Sequence, residues 1–289
     1  MSSAAKDAAA WRPLEGADAP ALGRARLMAH HALQWLARFA RAYVPPKPDD
    51  SHTSLLWDSG LDGFVSRTLA DGSRLSLRLP DLSLGWHAGR NTAPGFSLAL
   101  DRRRDGEALL WLGEIVAAHG LDGQALETEA PYEIPDHAVA HGAAYDVRGA
   151  AAGLAELARW FGNGNGVLGR AHRALVAHKL AAGPVSAWPH HFDLATLAAV
   201  PRSGGEDGSV GVGLSPGDEY YAEPYFYVSV YPEPAQAALP KLASVGHWHT
   251  HDFTAAIAPA HVIVAAKEQG RATWEFLEGA IDAAIGLVG

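Results

Sequence analysis

The sequence predicts an α+β fold with mainly antiparallel sheet and packed helices. Two observations predict it. Strand-like segments come in clusters bracketed by helical stretches, so the order is helix, strands, helix, and then the same again. The clearest alternation, RLSLRLPDLSLGW at 74–86, follows a turn signal and not a crossover helix. A doubly wound parallel sheet needs strands that alternate singly with helices, and this chain has none of that pattern. The two halves share an order of elements but no sequence repeat. No composition break marks a boundary, so residues 1–289 are read as a single domain with a loose N-terminal arm over about residues 1–20.

The first helix runs from Leu22 to Tyr43. Leu22, Ala25, Ala29, Leu36, Ala40 and Tyr43 form one apolar stripe, widened by Met28, Leu33, Trp35 and Phe39. Arg24, His31, Gln34, Arg38 and Arg41 fall opposite. VPPKP at 44–48 ends the helix, because proline lacks the amide donor and restricts the residue before it.

Residues 52–100 read as strands. Leu75, Leu77 and Leu79 alternate with Ser76 and Arg78, and ADGS at 70–73 predicts a hairpin between 62–69 and 74–79. Trp57, Trp86 and His87 are assigned to core packing. EALLWLGEIVAAH at 107–119 is a helix ended by Gly120. The stretch 121–149 is a connecting segment. His137 and His141 stand four apart, a spacing that chelates metal only on a helix, and nothing marks a helix there.

From Gly149 to Ala182 the apolar spacing is helical, with GNGNG at 162–166 inside it. Each interior glycine costs about 1 kcal/mol relative to alanine, but the phase is nearly kept, which favours one long helix. Strands are expected at 185–199, 208–214, 223–231 and 244–251, and closing helices at 257–268 and 271–287.

Composition excludes several functions. The chain has no cysteine, so disulfides, thiolate metal sites and a cysteine nucleophile are out. Any metal must be held by His, Asp or Glu. The net charge is −9, and the one arginine run, Arg102 to Arg104, is flanked by Asp101 and Asp105. That balance argues against nucleic acid and anionic membrane as partners. No secretory signal or bilayer-spanning run is evident, so a cytoplasmic protein is expected, monomeric or homodimeric.

Two motifs mislead. Gly164, Gly166 and Gly169 match GxGxxG but follow a helix, whereas the dinucleotide fingerprint follows a strand. Gly213, Ser215 and Gly217 match GxSxG, but Pro216 lacks the amide that an oxyanion hole needs, so SPGD reads as a β-turn.

The chemistry concentrates between Pro184 and Asp252. In an extended WPHHFD, Trp188, His190 and Phe192 face one way and His191 and Asp193 the other. Glu223, Tyr225 and Tyr227 share a face of the next strand, with Phe226 and Val228 behind in the core. Trp188, His190, His191, Asp193, Glu223, Tyr225 and Tyr227 are therefore the candidate ligand-binding residues of a His/carboxylate/aromatic pocket over these strands. His247, His249 and His251 alternate on a further strand and are the candidate metal ligands, with His191, Asp193 or Glu223 to complete the set for Zn, Mn or Fe. Hydrogen bonding to carboxylates explains the same histidines without metal.

WPHHFDLATL, the SPGD turn and EPYFYVSVYPEP resemble an uncharacterised bacterial family, domain-of-unknown-function family 5996. The early helix with its PP turn and the ARWF helix fit its general pattern. The resemblance implies no activity and no catalytic residue. Related sequences carry helix-friendly residues in place of GNGNG, which favours the continuous helix. Distant relatives lack the two histidines of WPHHFD, which weakens the metal reading. The expected function is small-molecule binding, with no catalytic residue assigned. The alternatives are a non-catalytic structural or interaction protein and a mononuclear His/carboxylate metal-dependent hydrolase.

Overall fold

The computed structural model describes residues 11–16, 19–202, 206–242 and 245–288. They form five α-helices and two antiparallel sheets, of five and seven strands, which is the α+β class expected from clustered strands. None of these helices is long and apolar enough to cross a membrane. Packing divides the described chain into two compact units: 19–158 with 187–192, and 11–16 with 159–186 and 193–288.

In the first unit α1 (Ala19–Tyr43) buries the predicted stripe from Leu22 to Ala40 and stops before the prolines. Strands β1 (Leu56–Asp58), β2 (Gly63–Val65), β3 (Arg74–Arg78), β4 (Ser83–His87) and β5 (Phe96–Ala99) form a meander in sequence order. The predicted hairpin is present, with Phe64 opposite Leu77 and Val65 opposite Ser76. Ser76 is buried along with its leucine neighbours because its hydroxyl meets the His87 ring at 2.9 Å. Trp57, Trp86 and His87 are core residues. The next helix, α2 (Asp105–Ala118), ends at Gly120, whose φ of +75° is the left-handed geometry glycine adopts without strain.

The connecting segment 121–149 holds only two short 3-10 turns, at Gly123–Glu127 and Ala138–His141. His137 accepts from the Val139 amide, and His141 meets Asp136 at 2.7 Å, so the two histidines do not form a pair.

The chain then enters α3 (Ala151–Ala177), which begins in the first unit and continues unbroken through GNGNG into the second. Gly162 and Gly164 are explained by their neighbours. A Cβ on Gly164 would stand 2.5 Å from the Leu214 side chain, and one on Gly162 would stand 2.2 Å from the Arg12 guanidinium. Between them Asn163 accepts from the Arg12 amide at 2.9 Å and donates to the Arg12 carbonyl at 2.8 Å.

Gln269 does the same for Leu14. Its Oε1 accepts from the Leu14 amide at 2.9 Å and its Nε2 donates to the Leu14 carbonyl at 3.0 Å. The Trp11 indole donates to the same Oε1 at 3.1 Å. Thus 11–16 is not the loose arm expected from the sequence. Side-chain amides satisfy its backbone as a neighbouring strand would. Residues 1–10 and 17–18 lie outside the described residues.

The second sheet contains β6 (Ala181–Ala182), β7 (Ser186–Trp188), β8 (Asp193–Val200), β9 (Gly208–Ser215), β10 (Tyr225–Tyr231), β11 (His247–His249) and β12 (Ala255–Pro259). Its order is β11-β12-β10-β9-β8-β6, with β7 as the seventh strand. Two α-helices follow: α4 (Ala260–Ala265) is brief, and α5 (Gln269–Val288) closes the chain where a helix was expected at 271–287.

Two expectations are corrected here. The helix predicted at 257–268 starts as strand: residues 257–259 belong to AAIAP, which pairs with both β10 and β11 and is buried along its whole length, and only Ala260–Ala265 is helical. A short apolar run without alternation reads alike for a buried strand and a buried helix.

The strand predicted at 185–199 is broken by a turn at 189–192. Phe192 has φ +59° and its amide donates to the Trp188 carbonyl at 2.7 Å. Trp188, His190 and Phe192 therefore do not share a strand face. Left-handed backbone costs a bulky residue about 1–2 kcal/mol. Burying its ring is worth about 1.5–3 kcal/mol and offsets that cost. The ring is 1% exposed and stacks on His30 with centroids 5.2 Å apart.

Phe192→Ala is expected to destabilise the protein by about 3–5 kcal/mol in chemical denaturation; an unchanged midpoint would contradict this packing. Gln269→Ala removes both amide bonds to Leu14, so a loss of about 1–3 kcal/mol is expected. Hydrogen exchange at the Leu14 amide should accelerate, and unaltered protection would show that other contacts hold the segment.

Candidate functional site

The sequence-predicted residues fall into two groups. Trp188, His190 and His191 belong to the first unit; Asp193, Glu223, Tyr225, Tyr227, His247, His249 and His251 belong to the second.

In the second unit the geometry starts from β9. Gly213 lies directly across from Tyr227 in the register, and a Cβ there would come within 2.3 Å of the tyrosine ring. The bare glycine lets the ring cross β9. Its hydroxyl then donates to Asp193 Oδ2 on β8 at 2.6 Å. Burial, and after it the Asp193 charge, push the Tyr227 phenol well above its ordinary pKa.

Tyr225 makes a parallel contact: its hydroxyl donates to Asp218 Oδ2 at 2.5 Å. Burial and then this bond raise its pKa too. The other Asp218 oxygen accepts from the Tyr220 and Tyr221 amides at 2.9 and 3.0 Å. SPGD is thus a turn tied together by side chains, with the Ser215 hydroxyl accepting from the Gly217 amide at 3.1 Å. Ser215 is buried and engaged in this turn. Glu223 turns to α4, where it accepts from the His261 amide at 2.8 Å and pairs with its ring at 2.5 Å.

Phe226 and Val228 are fully buried, and Phe226 meets Trp160 at 6.2 Å between centroids. The tyrosine–carboxylate pairs therefore brace the sheet.

The three candidate metal ligands do not act as a set. His247 and His249 share a face of β11, opposite Ile257 and Ala255. His251 lies beyond the strand end, exposed, with its ring on Asp252 at 3.0 Å. Its carbonyl, not its ring, contacts His249, at 2.6 Å from Nε2. The Tyr221 hydroxyl lies 3.0 Å from both His247 Nε2 and His249 Nδ1. Among the described residues no group of three or more His, Asp or Glu side chains is placed to hold a metal ion.

In the first unit the geometry starts from α1. His30 Nε2 donates to the Pro189 carbonyl at 2.7 Å, and Gln34 Nε2 donates to the same oxygen at 2.9 Å. These bonds anchor the WPHHF turn on the helix. Trp188 and His190 are half-buried and His191 is exposed. His190 packs against His191 and Tyr132, at 4.2 and 5.6 Å between centroids.

Beside this turn is a cleft of about 250 Å³, lined by His31, Gln34, Trp35, Arg38 and Arg41 from α1, Asp105 from α2, and Ala130, Tyr132, Ile134 and Ala140 from the connecting segment. The α1 residues stand at helical spacing, so one helix face lines one wall. The Tyr132 hydroxyl donates to Gln34 Oε1 at 2.9 Å. The Arg41 guanidinium lies 5.8 Å from the Tyr132 ring centroid, and that of Arg38 lies 5.1 Å from Trp35.

Neither arginine forms an ion pair among the described residues, and Arg41 Nη1 is buried without a hydrogen-bond partner. Asp105 accepts from the buried Tyr145 hydroxyl at 2.7 Å.

No family model, curated protein or solved structure matches the chain.

From the sequence, His31, Gln34, Arg38 and Arg41 were read only as the α1 face opposite its apolar stripe, and Trp35 as part of that stripe. One signal pointed to them: 121–149 is a long connection without regular structure inside a compact fold, and such connections are often functional.

His30 sets an expected pH dependence. Burial lowers its pKa from 6.5 to about 4, and the Pro189 bond only partly opposes this. Between these values the unfolded chain takes up a proton that the folded chain refuses. The stabilisation is complete above pH 6.5 and is lost as pH falls toward 4, by about 3 kcal/mol in all. In His30→Gln, urea unfolding across this window should show a shallower fall with pH; an identical slope would mean His30 does not contribute to it.

Proposed function

We propose that this is a small-molecule-binding protein whose ligand is a small oxyanion seated in the α1 cleft. The observation that carries this reading is two guanidinium groups without ion-pair partners on one concave wall. The protein bears a net charge of −9, so a paired cationic wall is not explained by a generally basic surface.

Arginine presents planar donors suited to carboxylate or phosphate. Gln34 and Tyr132 add polar groups that orient a ligand, and Trp35, Ile134 and Ala140 supply apolar surface. The volume suits a ligand smaller than a drug-sized molecule. The ligand site is therefore placed on α1 and the connecting segment instead of over the strands of 184–252. There the tyrosine hydroxyls and their carboxylates already satisfy one another.

We also propose membership of domain-of-unknown-function family 5996, on the WPHHFDLATL, SPGD and EPYFYVSVYPEP blocks. The unbroken helix through GNGNG supports that reading.

The test is calorimetric titration with benzoate, succinate and inorganic phosphate, on the parent and on Arg41→Ala. One of the three should bind the parent. Loss of a charge-assisted hydrogen bond, worth about 1.5–3 kcal/mol, should then weaken it roughly tenfold or more in the variant. Binding should also weaken with added salt. No binding of any of the three, or equal affinity in Arg41→Ala, would overturn the assignment.

A further inference from the structure

We infer that His247, His249 and Tyr221 form a transition-metal site for a divalent ion that prefers imidazole, such as Cu(II) or Zn(II). It is independent of the α1 cleft.

Three features of the geometry lead there. The first is the convergence of donors. Tyr221 Oη lies 3.0 Å from His247 Nε2 and 3.0 Å from His249 Nδ1. Ligands about 2.1 Å from a metal and at right angles around it stand roughly 3 Å from one another. The spacing that serves as a pair of hydrogen bonds is thus also the spacing of adjacent ligands.

The second feature is the tautomer of His249. Its Nε2 lies 2.6 Å from the His251 carbonyl. A carbonyl only accepts, so Nε2 carries the proton and Nδ1 presents its lone pair to Tyr221. A backbone carbonyl on the far ring nitrogen is the usual support of a metal-bound histidine, because it fixes both ring orientation and tautomer. The role given to His251 in the sequence reading thus passes to its backbone, and Tyr221 takes the place of its ring.

The third feature is rigidity with access. His247 and His249 are fixed on one face of β11 by pairing with β12. Tyr221 is held by the Asp218 bond to its amide, and its ring packs on Tyr225 with centroids 4.9 Å apart. The His249 ring is backed by Phe253, stacked at 4.3 Å. His247 also lines an open groove of about 430 Å³ with Gly246, Val262 and Ala265. Two nitrogens and one phenolate leave coordination positions open for water or a ligand.

Binding replaces the phenolic O–H bond with a metal–oxygen bond and releases one proton to solvent. His247 then carries its remaining proton on Nδ1. Affinity should accordingly rise with pH. The set of two imidazoles and one hard oxygen suits Cu(II) or Zn(II) over metals that favour all-oxygen sites.

The experiment uses the full chain without an affinity tag, titrated with Cu(II) and separately with Zn(II). One equivalent of Cu(II) is expected, with a visible phenolate-to-copper charge-transfer band. His249→Ala should weaken binding about tenfold or more, since loss of a mere supporting group costs that much. Tyr221→Phe should abolish the band. His178→Ala, whose ring pairs with Asp282 elsewhere in the unit, should bind as the parent does. The parent spectrum decides the matter even where a variant fails to fold. No stoichiometric ion in the parent, copper without the band, or equal affinity in folded His249→Ala would each overturn the site.

Discussion

The close approach of α3 to β9 is the constraint on which the second unit depends. Leu214 and Gly213 are neighbours on β9 and point to opposite faces of the sheet. On one face the Leu214 side chain fills the space that a Cβ on Gly164 would occupy. On the other, the absence of a Cβ on Gly213 lets Tyr227 cross the strand and reach Asp193. A single two-residue step therefore joins helix packing on one side to a hydrogen-bonded tyrosine on the other. Gly164 and Gly213, one glycine from each of the patterns that imitate GxGxxG and GxSxG, are explained by this close packing. Neither a phosphate nor a serine nucleophile is needed to account for them.

Much of the fold was legible in the sequence. The stripe of α1, the β2–β3 hairpin and the stop at Gly120 each rest on a local rule that packing did not override. The continuity of α3 was legible from the phase of its apolar residues, although the reason for Gly162 and Gly164 lies in Arg12 and Leu214, far away in sequence. Two elements were not legible. AAIAP is too short and too uniformly apolar to show a period. WPHHFD does alternate, but the Phe192 ring gains more by burial against His30 than its backbone loses in the left-handed region.

The candidate site was less legible, for a different reason. A polar helix face looks the same in sequence whether water or a chain segment covers it. His31, Gln34, Arg38 and Arg41 were correctly placed opposite the apolar stripe, but nothing local shows that Tyr132 and Pro135 come to lie against them. The His31 ring meets the Pro135 carbonyl at 2.9 Å, and the Tyr132 hydroxyl bonds Gln34. Those contacts join residues about a hundred positions apart and carry no periodic signal.

The β8–β10 face of the second unit and the α1 face of the first differ in how their polar groups are satisfied, and that difference is what separates brace from anion site. Tyr225 and Tyr227 each find a carboxylate, and Glu223 finds His261, so these carboxylates are satisfied by hydrogen bonds within the protein. A buried polar group so paired adds rigidity and offers little to a ligand. On α1 the balance is reversed. Tyr132 and Gln34 satisfy each other, but they leave Arg38 and Arg41 with an aromatic ring each and no carboxylate. Arg38 Nη1 donates to the Leu126 carbonyl and Arg41 Nη2 to the Tyr132 hydroxyl, each at 3.5 Å, which leaves other donors of each guanidinium for a ligand. The two groups stand three residues apart on one helix face and line the same cleft. The aromatic-rich strands that dominate the sequence are thus a brace, whereas the capacity to bind an oxyanion resides in a helix face that the sequence presents as ordinary surface.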